Sequence, residues 1–236
     1  MEERFPPAIT KDFMARYGHL PKELLPWRMN PKDPQTAKEW RIALTKLLPS
    51  PNIPHGLRLR PGHQFQPPRF NFGWAVDDLT IRDIAYRCGF PRFFNDSSQS
   101  PNSESTPVLY WQAASKLLQG VLSEKFPDVL KEVPGPIRIE KVIGPKGDDR
   151  TMCIVLADSL RTGNRKPKQE HIDTLREFFG IGTKEEGKYE PYGGPEPMWW
   201  LDSFYRTWKW CYSWEYEAEN DLRDWRTLMP GGRHRR

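Results

Sequence analysis

Two stretches of this 236-residue chain carry an aromatic ring at every second position, and this spacing constrains the fold more than any other feature. In RFNFGWAV (69–76) the rings belong to Phe70, Phe72 and Trp74, and in TWKWCYSWEYE (207–217) they run from Trp208 to Tyr216. Because successive side chains of a β-strand point to opposite faces, each stretch would place all of its rings on one face of a sheet. The pattern predicts two strands, each with an aromatic face.

The segments between these two strands predict the other elements of the domain. Apolar side chains recur at helical spacing within residues 77–89, 106–122 and 168–179, whereas residues 137–143 and 151–157 are typical of a hairpin. The order along the chain is then β-α-α-β-β-α-β, which apart from one additional helix is the order of the ferredoxin-like class. We therefore expect an α+β fold, in which an antiparallel sheet of about four strands has helices on one face.

The first third of the chain differs in composition from the rest. Residues 1–68 contain 12 of the 24 prolines, and residues 1–69 carry 12 Lys and Arg against 6 Asp and Glu. Since Pro interrupts regular elements, short elements are expected here, with one helix near 34–48 that begins at Pro34. The composition predicts a basic, Pro-rich, mainly helical N-terminal arm (1–68), an α+β core domain (69–230) and a basic tail (231–236).

The N-terminal residues and the cysteines indicate the cellular compartment of the protein. The N-terminal residues MEERFPPAITKDF lack the basic flank and apolar run of a secretory signal, and no stretch reaches the length of a transmembrane helix. Cys88, Cys153 and Cys211 are odd in number and far apart, so they fit neither a disulfide framework nor a CxxC metal site. We expect an intracellular protein, cytoplasmic or nuclear, that does not enter membranes. No feature of the sequence indicates an oligomeric state.

Motifs for catalysis, metals and cofactors are not found in the sequence. The five histidines are scattered without HxxxH or HExxH spacing, and there is no nucleophile elbow or Walker-type loop. The pattern IxxIAxxxGF (81–90) resembles the first half of a helix-turn-helix, but Pro91 and a polar loop replace the recognition helix. We therefore expect no cofactor and no metal, and the catalytic residues of any reaction stay unknown. Asp77 is expected to cap the helix that follows it.

The aromatic strands are the leading candidates for a binding surface. Rings that face the helices would form the core, whereas rings on an open face could stack bases, at about 1–3 kcal/mol for each base. The alternating polar residues of 207–215 favour a buried aromatic face, yet five large rings are difficult for short helices to cover completely. With nearby arginines included, the candidate binding residues are Phe72, Trp74, Trp208, Trp210, Tyr212, Trp214, Arg58 and Arg60.

Three functions remain open at this point. The first is a non-catalytic binding protein whose basic arm and aromatic sheet bind nucleic acid or a protein partner. The second is a small-molecule enzyme with an aromatic pocket between sheet and helices, in which Asp77, Asp202 or Glu215 acts as an acid–base group. The third is an assembly protein whose Trp-rich segment PMWWLDSFY (197–205) forms an oligomer interface.

Overall fold

The computed structural model describes residues 17, 19–25, 34–58, 65–89, 111–144, 150–162, 164–183, 187–204 and 208–210. Among these residues the helices are α1 (Pro34–Thr45), α2 (Asp78–Arg87), α3 (Trp111–Lys125), α4 (Pro127–Glu132) and α5 (Gln169–Phe179). The strands are β1 (Phe65–Gln66), β2 (Phe70–Val76), β3 (Arg138–Ile143), β4 (Arg150–Asp158), β5 (Met198–Leu201) and β6 (Lys209–Trp210). Lys22–Leu24 and His55–Leu57 form short 3-10 helices. Within this described part of the chain, no helix has the length and apolar character needed to span a membrane.

Four of the strands form one sheet, in the order β3-β4-β2-β5. Every neighbouring pair in it is antiparallel, and the short strands β1 and β6 pair separately with each other. The hairpin predicted within residues 137–157 is present as β3 and β4. Helices combined with a four-stranded antiparallel sheet confirm the predicted α+β class.

The edge strand that pairs with β2 is not the one that the aromatic spacing predicts. The ferredoxin-like order predicts residues 207–216 beside Phe70–Val76, because the first and last strands of that class are neighbours in the sheet. Instead, β5 occupies that position and places Trp199 opposite Phe72. In the described part of 207–216, Lys209 and Trp210 pair instead with β1. The run MWWL of β5 shows no alternation because Trp199 and Trp200, on opposite faces, are both buried. The period-two criterion therefore overlooks this strand.

One face of the sheet packs against the helices and forms the main hydrophobic core. Phe70, Phe72 and Trp74 of β2 lie in this core, and the indole N–H of Trp74 donates to the Pro195 carbonyl at 2.8 Å. Trp40 of α1 is buried in the same core at 1% exposure. The helix predicted near 34–48 is thus present as α1, and its apolar side packs with the sheet.

The opposite face, which we call the inner face, is enclosed because the sheet curls. At the end of β5, Asp202 forms a bridge with Val142 of the other edge strand, and the Ser203 amide donates to the Lys141 carbonyl at 3.0 Å. The meeting of the two edges leaves little room between them. The space is filled by a small buried cluster of Ala75, Val142, Cys153, Val155 and Trp200.

Gly73 allows β2 and β4 to approach each other closely at an irregularity in their register between Phe72 and Gly73. A Cβ atom on Gly73 would lie 1.9 Å from the backbone carbonyl oxygen of Ile154, and a backbone atom has little freedom to move. We expect Gly73→Ala to lower the free energy of unfolding by about 3 kcal/mol or more, measured by urea denaturation.

Gly120 provides the matched control. It lies inside α3, and a Cβ there would have no neighbour within 4 Å. Gly120→Ala is expected to raise the free energy of unfolding by about 0.5–1 kcal/mol, because Ala has the higher helix propensity. Equal stability of Gly73→Ala and the parent protein would contradict the close strand contact.

Candidate functional site

Three of the aromatic residues proposed for binding are buried. Phe72, Trp74 and Trp208 are 2%, 1% and 9% exposed. The indole N–H of Trp208 donates to the Leu24 carbonyl at 2.9 Å, and its ring packs edge-on against Tyr17. These rings belong to the core and offer no open surface to a base in this structure. The side chain of Trp210, and Arg60, Tyr212 and Trp214 as a whole, lie outside the described residues.

Arg58, by contrast, is hydrogen-bonded to the same short backbone segment, residues 51–53, as a second basic side chain. Its Nε–H group donates to the Ile53 carbonyl at 2.8 Å, and this hydrogen bond does not use the two terminal guanidinium nitrogens. The nearby Lys166 ammonium donates to the Pro51 carbonyl at 2.5 Å and lies 5.1 Å from the centre of the Phe72 ring. Residues from the N-terminal third and from the β4–α5 loop therefore meet at one place. We call Arg58 and Lys166 the cation pair.

The two positive charges of the cation pair repel each other. Partial burial and the neighbouring Arg58 guanidinium both lower the pKa of Lys166 from its ordinary value. Within the described part of the chain, neither member forms an ion pair with a carboxylate, whereas the Lys168 ammonium lies 2.5 Å from Glu132. An anion bound between Arg58 and Lys166 would relieve their repulsion. The arrangement is therefore suited to binding a negatively charged group.

The loop that carries Lys166 is basic throughout. Residues 160–168, with the sequence LRTGNRKPK, include four Lys and Arg and no acid. Arg165 is exposed, and its Nε–H group donates to the Thr162 carbonyl at 3.2 Å. Our sequence reasoning missed this loop because it lies between two clear elements and contains no motif. The local charge of the loop is the signal that could have identified it.

A network of buried charges on the inner face lies next to this loop, and Asp202 is one of its two centres. The Asp202 carboxylate is fully buried and accepts hydrogen bonds from Arg69 at 2.5 and 2.8 Å, from the Asn71 amide at 2.8 Å and from the Phe204 amide at 2.8 Å. Such a carboxylate is stabilised as a structural anion. Asp202 joins the segment that begins β2 to the end of β5.

Asp158 is the second centre of the network. Its carboxylate is 1% exposed and accepts from the Arg138 guanidinium at 2.9 Å, as well as from the Leu160 and Arg161 amides at 3.1 and 2.8 Å. Arg138 also donates to Glu140 at 2.9 Å. The backbone donors are the first residues of the basic loop, so the charge network of the sheet and the loop share this carboxylate.

Two of the three acid–base candidates, Asp77 and Asp202, have structural roles. Asp77 accepts a hydrogen bond from the Thr80 amide at 2.6 Å, which confirms that it caps α2. Burial raises the pKa of the Cys153 thiol well above its ordinary value, so this residue stays protonated and unreactive. A shallow pocket between α1 and the sheet has no carboxylate in its lining of Leu44, Thr45, Leu48, Ile143, Gly144 and Leu201. Glu215 lies outside the described residues.

Ligand atoms of Glu132, Glu170 and His171 lie within 4.8 Å of one another on the surface. The Lys168 ammonium already contacts two of these carboxylates, at 2.5 Å from Glu132 and 3.7 Å from Glu170. The cluster also lies at the start of α5, where the helix dipole disfavours cations. These contacts describe an ion-pair cluster that joins α4 to α5.

Comparison of the chain with protein families, with curated proteins and with solved structures found no match.

The loss of a buried carboxylate, Asp202, is expected to destabilise the protein more than the loss of an exposed one, Asp128. We expect Asp202→Asn to lower the free energy of unfolding by about 3–5 kcal/mol, because the Arg69 charge would lose its buried partner. The matched control is Asp128→Asn, which removes an exposed ion pair with Lys131 and is expected to cost less than about 1 kcal/mol. Urea denaturation measures both changes, and equal losses would show that the network does not stabilise the sheet.

Proposed function

We propose that this protein is a binding protein that holds single-stranded nucleic acid through Arg58 and Lys166. The observation that supports the proposal is the cation pair: two positive groups are anchored to carbonyls two residues apart and lack a carboxylate partner among the described residues. A guanidinium can donate two parallel hydrogen bonds to a phosphate, and an ammonium can contact the same group or the next one.

The distribution of charge favours a polyanion over a single small anion. The formal net charge is +5, and residues 1–69, which include Arg58, carry twice as many basic as acidic residues. The loop 160–168 adds Arg165, which precedes Lys166, and Arg161, whose guanidinium lies 3.8 Å from the Asp158 carboxylate. A flexible single strand can adapt its phosphates to an irregular row of cations of this kind. Base stacking on Phe72 and Trp74 is not part of this proposal, because both rings are buried.

We further propose that the core has the ferredoxin-like arrangement and that the protein is intracellular. The order of the core elements, β2, three helices, β3, β4, α5 and β5, supports the first statement, with one short helix more than predicted. The free thiols of Cys88 and Cys153 support the second, since a reducing compartment preserves them.

Fluorescence anisotropy with a labelled oligouridylate of about 15 nucleotides tests the proposed binding. We expect Arg58→Gln and Lys166→Gln each to weaken binding and each to reduce the slope of log affinity against log salt concentration by about 0.7. Glutamine keeps a hydrogen-bond donor at both positions while it removes the charge. The measurement spans about 50–200 mM salt.

Lys116→Gln is the matched control, because Lys116 is an exposed residue of α3 and its loss removes the same charge elsewhere. We expect its affinity and its salt slope to stay close to those of the parent protein. An equal loss in all three variants would indicate diffuse attraction instead of a site. Undetectable binding at low salt would refute the proposal, and tighter binding of an acidic peptide than of the oligonucleotide would favour a protein partner.

A further inference from the structure

Asp158 accepts the hydrogen bonds that define the conformation at the start of the basic loop. One carboxylate oxygen accepts from the Leu160 and Arg161 amides, and the Asp158 main-chain carbonyl accepts from both the amide and the hydroxyl of Thr162, at 3.0 and 2.7 Å. Four hydrogen bonds thus close the turn that follows β4. The neighbouring Ser159 fixes this turn to β2, through its amide to the Phe70 carbonyl and its hydroxyl from the Phe70 amide, both at 2.9 Å.

A second turn continues from the first toward the cation pair. The Thr162 carbonyl accepts from the amide and from the Nε–H group of Arg165, both at 3.2 Å. The next residue is Lys166, whose ammonium reaches the Pro51 carbonyl. Two hydrogen-bonded turns and the peptide bond to Lys166 therefore connect the buried network of the sheet to one member of the cation pair.

We propose that Asp158, held in place by Arg138, is a positioning residue that keeps Lys166 beside Arg58. This inference rests on the proposed nucleic-acid binding. A loop without the Asp158 bonds would sample many conformations, and binding would then have to order it again at a cost in conformational entropy. With the turn already closed, both cations are arranged before the phosphate arrives.

The charge of Asp158 is essential to this role because the carboxylate accepts hydrogen bonds on both of its oxygens. Arg138 donates to one oxygen and the loop amides donate to the other. The amide side chain in Asp158→Asn has one accepting oxygen, so its NH2 group would face either Arg138 or the loop amides. An unpaired buried charge or an open turn follows in either orientation.

The test compares oligouridylate affinity with amide hydrogen exchange in residues 160–166 of the free, full-length protein. We expect Asp158→Asn to weaken binding about tenfold and to accelerate exchange in this segment. Arg138→Gln combined with Asp158→Asn is expected to recover part of the affinity, because the glutamine oxygen can accept from the new amide. Thr162→Val removes the hydroxyl bond of the same turn without a change of charge and serves as the second variant where Asp158→Asn does not fold.

Leu118→Ala is the control for a general loss of stability. Leu118 is a buried residue of α3, and its truncation destabilises the protein without a change in the loop. We expect its oligouridylate affinity and its exchange in residues 160–166 to match the parent protein under conditions where it is folded. Equal affinity losses in Leu118→Ala and Asp158→Asn would overturn the positioning role.

The two proposals fail in different ways. If the parent protein does not bind the oligouridylate, the proposed function is wrong, and loop exchange alone then decides whether Asp158 holds the loop. If the parent protein binds but Asp158→Asn and Thr162→Val bind equally well, the positioning role is wrong and the binding function stands. Unchanged exchange in residues 160–166 of both variants would also overturn the positioning role.

Discussion

The structure depends on two carboxylates that are buried inside a curled sheet and neutralised by arginines. Asp158 and Asp202 lie at the ends of β4 and β5, and Asn71 of β2 stands between them, donating to Asp202 and accepting from Arg138. Burial of unpaired charges at these positions would cost several kcal/mol for each ion, so the pairing with Arg69 and Arg138 is a condition for closing the sheet. Where charged residues fill one end of the inner face, small apolar residues and Trp200 fill the other.

The same network explains why a surface loop can have a defined shape. Loops of this length are ordinarily among the less stable parts of a protein, because few buried contacts hold them. Here Asp158, Ser159 and Thr162 are themselves buried, at 1%, 0% and 2% exposure, although they belong to the loop or its start. The basic residues of the loop are therefore attached to a buried, hydrogen-bonded turn. This attachment limits the conformations of the exposed cations.

Much of the secondary structure could be predicted from the sequence because it depends on local patterns. The alternation of Phe70, Phe72 and Trp74 identified β2, and Asp77 marked the start of α2. The strand β5 could not be found in this way, since its two faces are both buried and its residues do not alternate. The cation pair could not be predicted from the sequence either, because residues 108 positions apart meet only through the tertiary fold.

The buried charge network also shows that local sequence patterns do not predict which strand face is buried. The polar residues Arg138 and Glu140 alternate with Ile137 and Ile139, which locally indicates an exposed strand face. The curvature that brings the two edges of the sheet together turns that face inward, and curvature of this kind arises from pairing between distant segments. Sequence periodicity therefore distinguishes the two faces of β3 but not the environment that each face meets.

Hydrogen exchange of the full-length protein with and without a saturating oligouridylate tests most directly whether the ordered loop and Arg58 form the binding site. We expect added oligonucleotide to slow amide exchange in residues 50–58 and 160–168, on both sides of the cation pair. Slower exchange confined to other segments, such as residues 111–125 of α3, would contradict it.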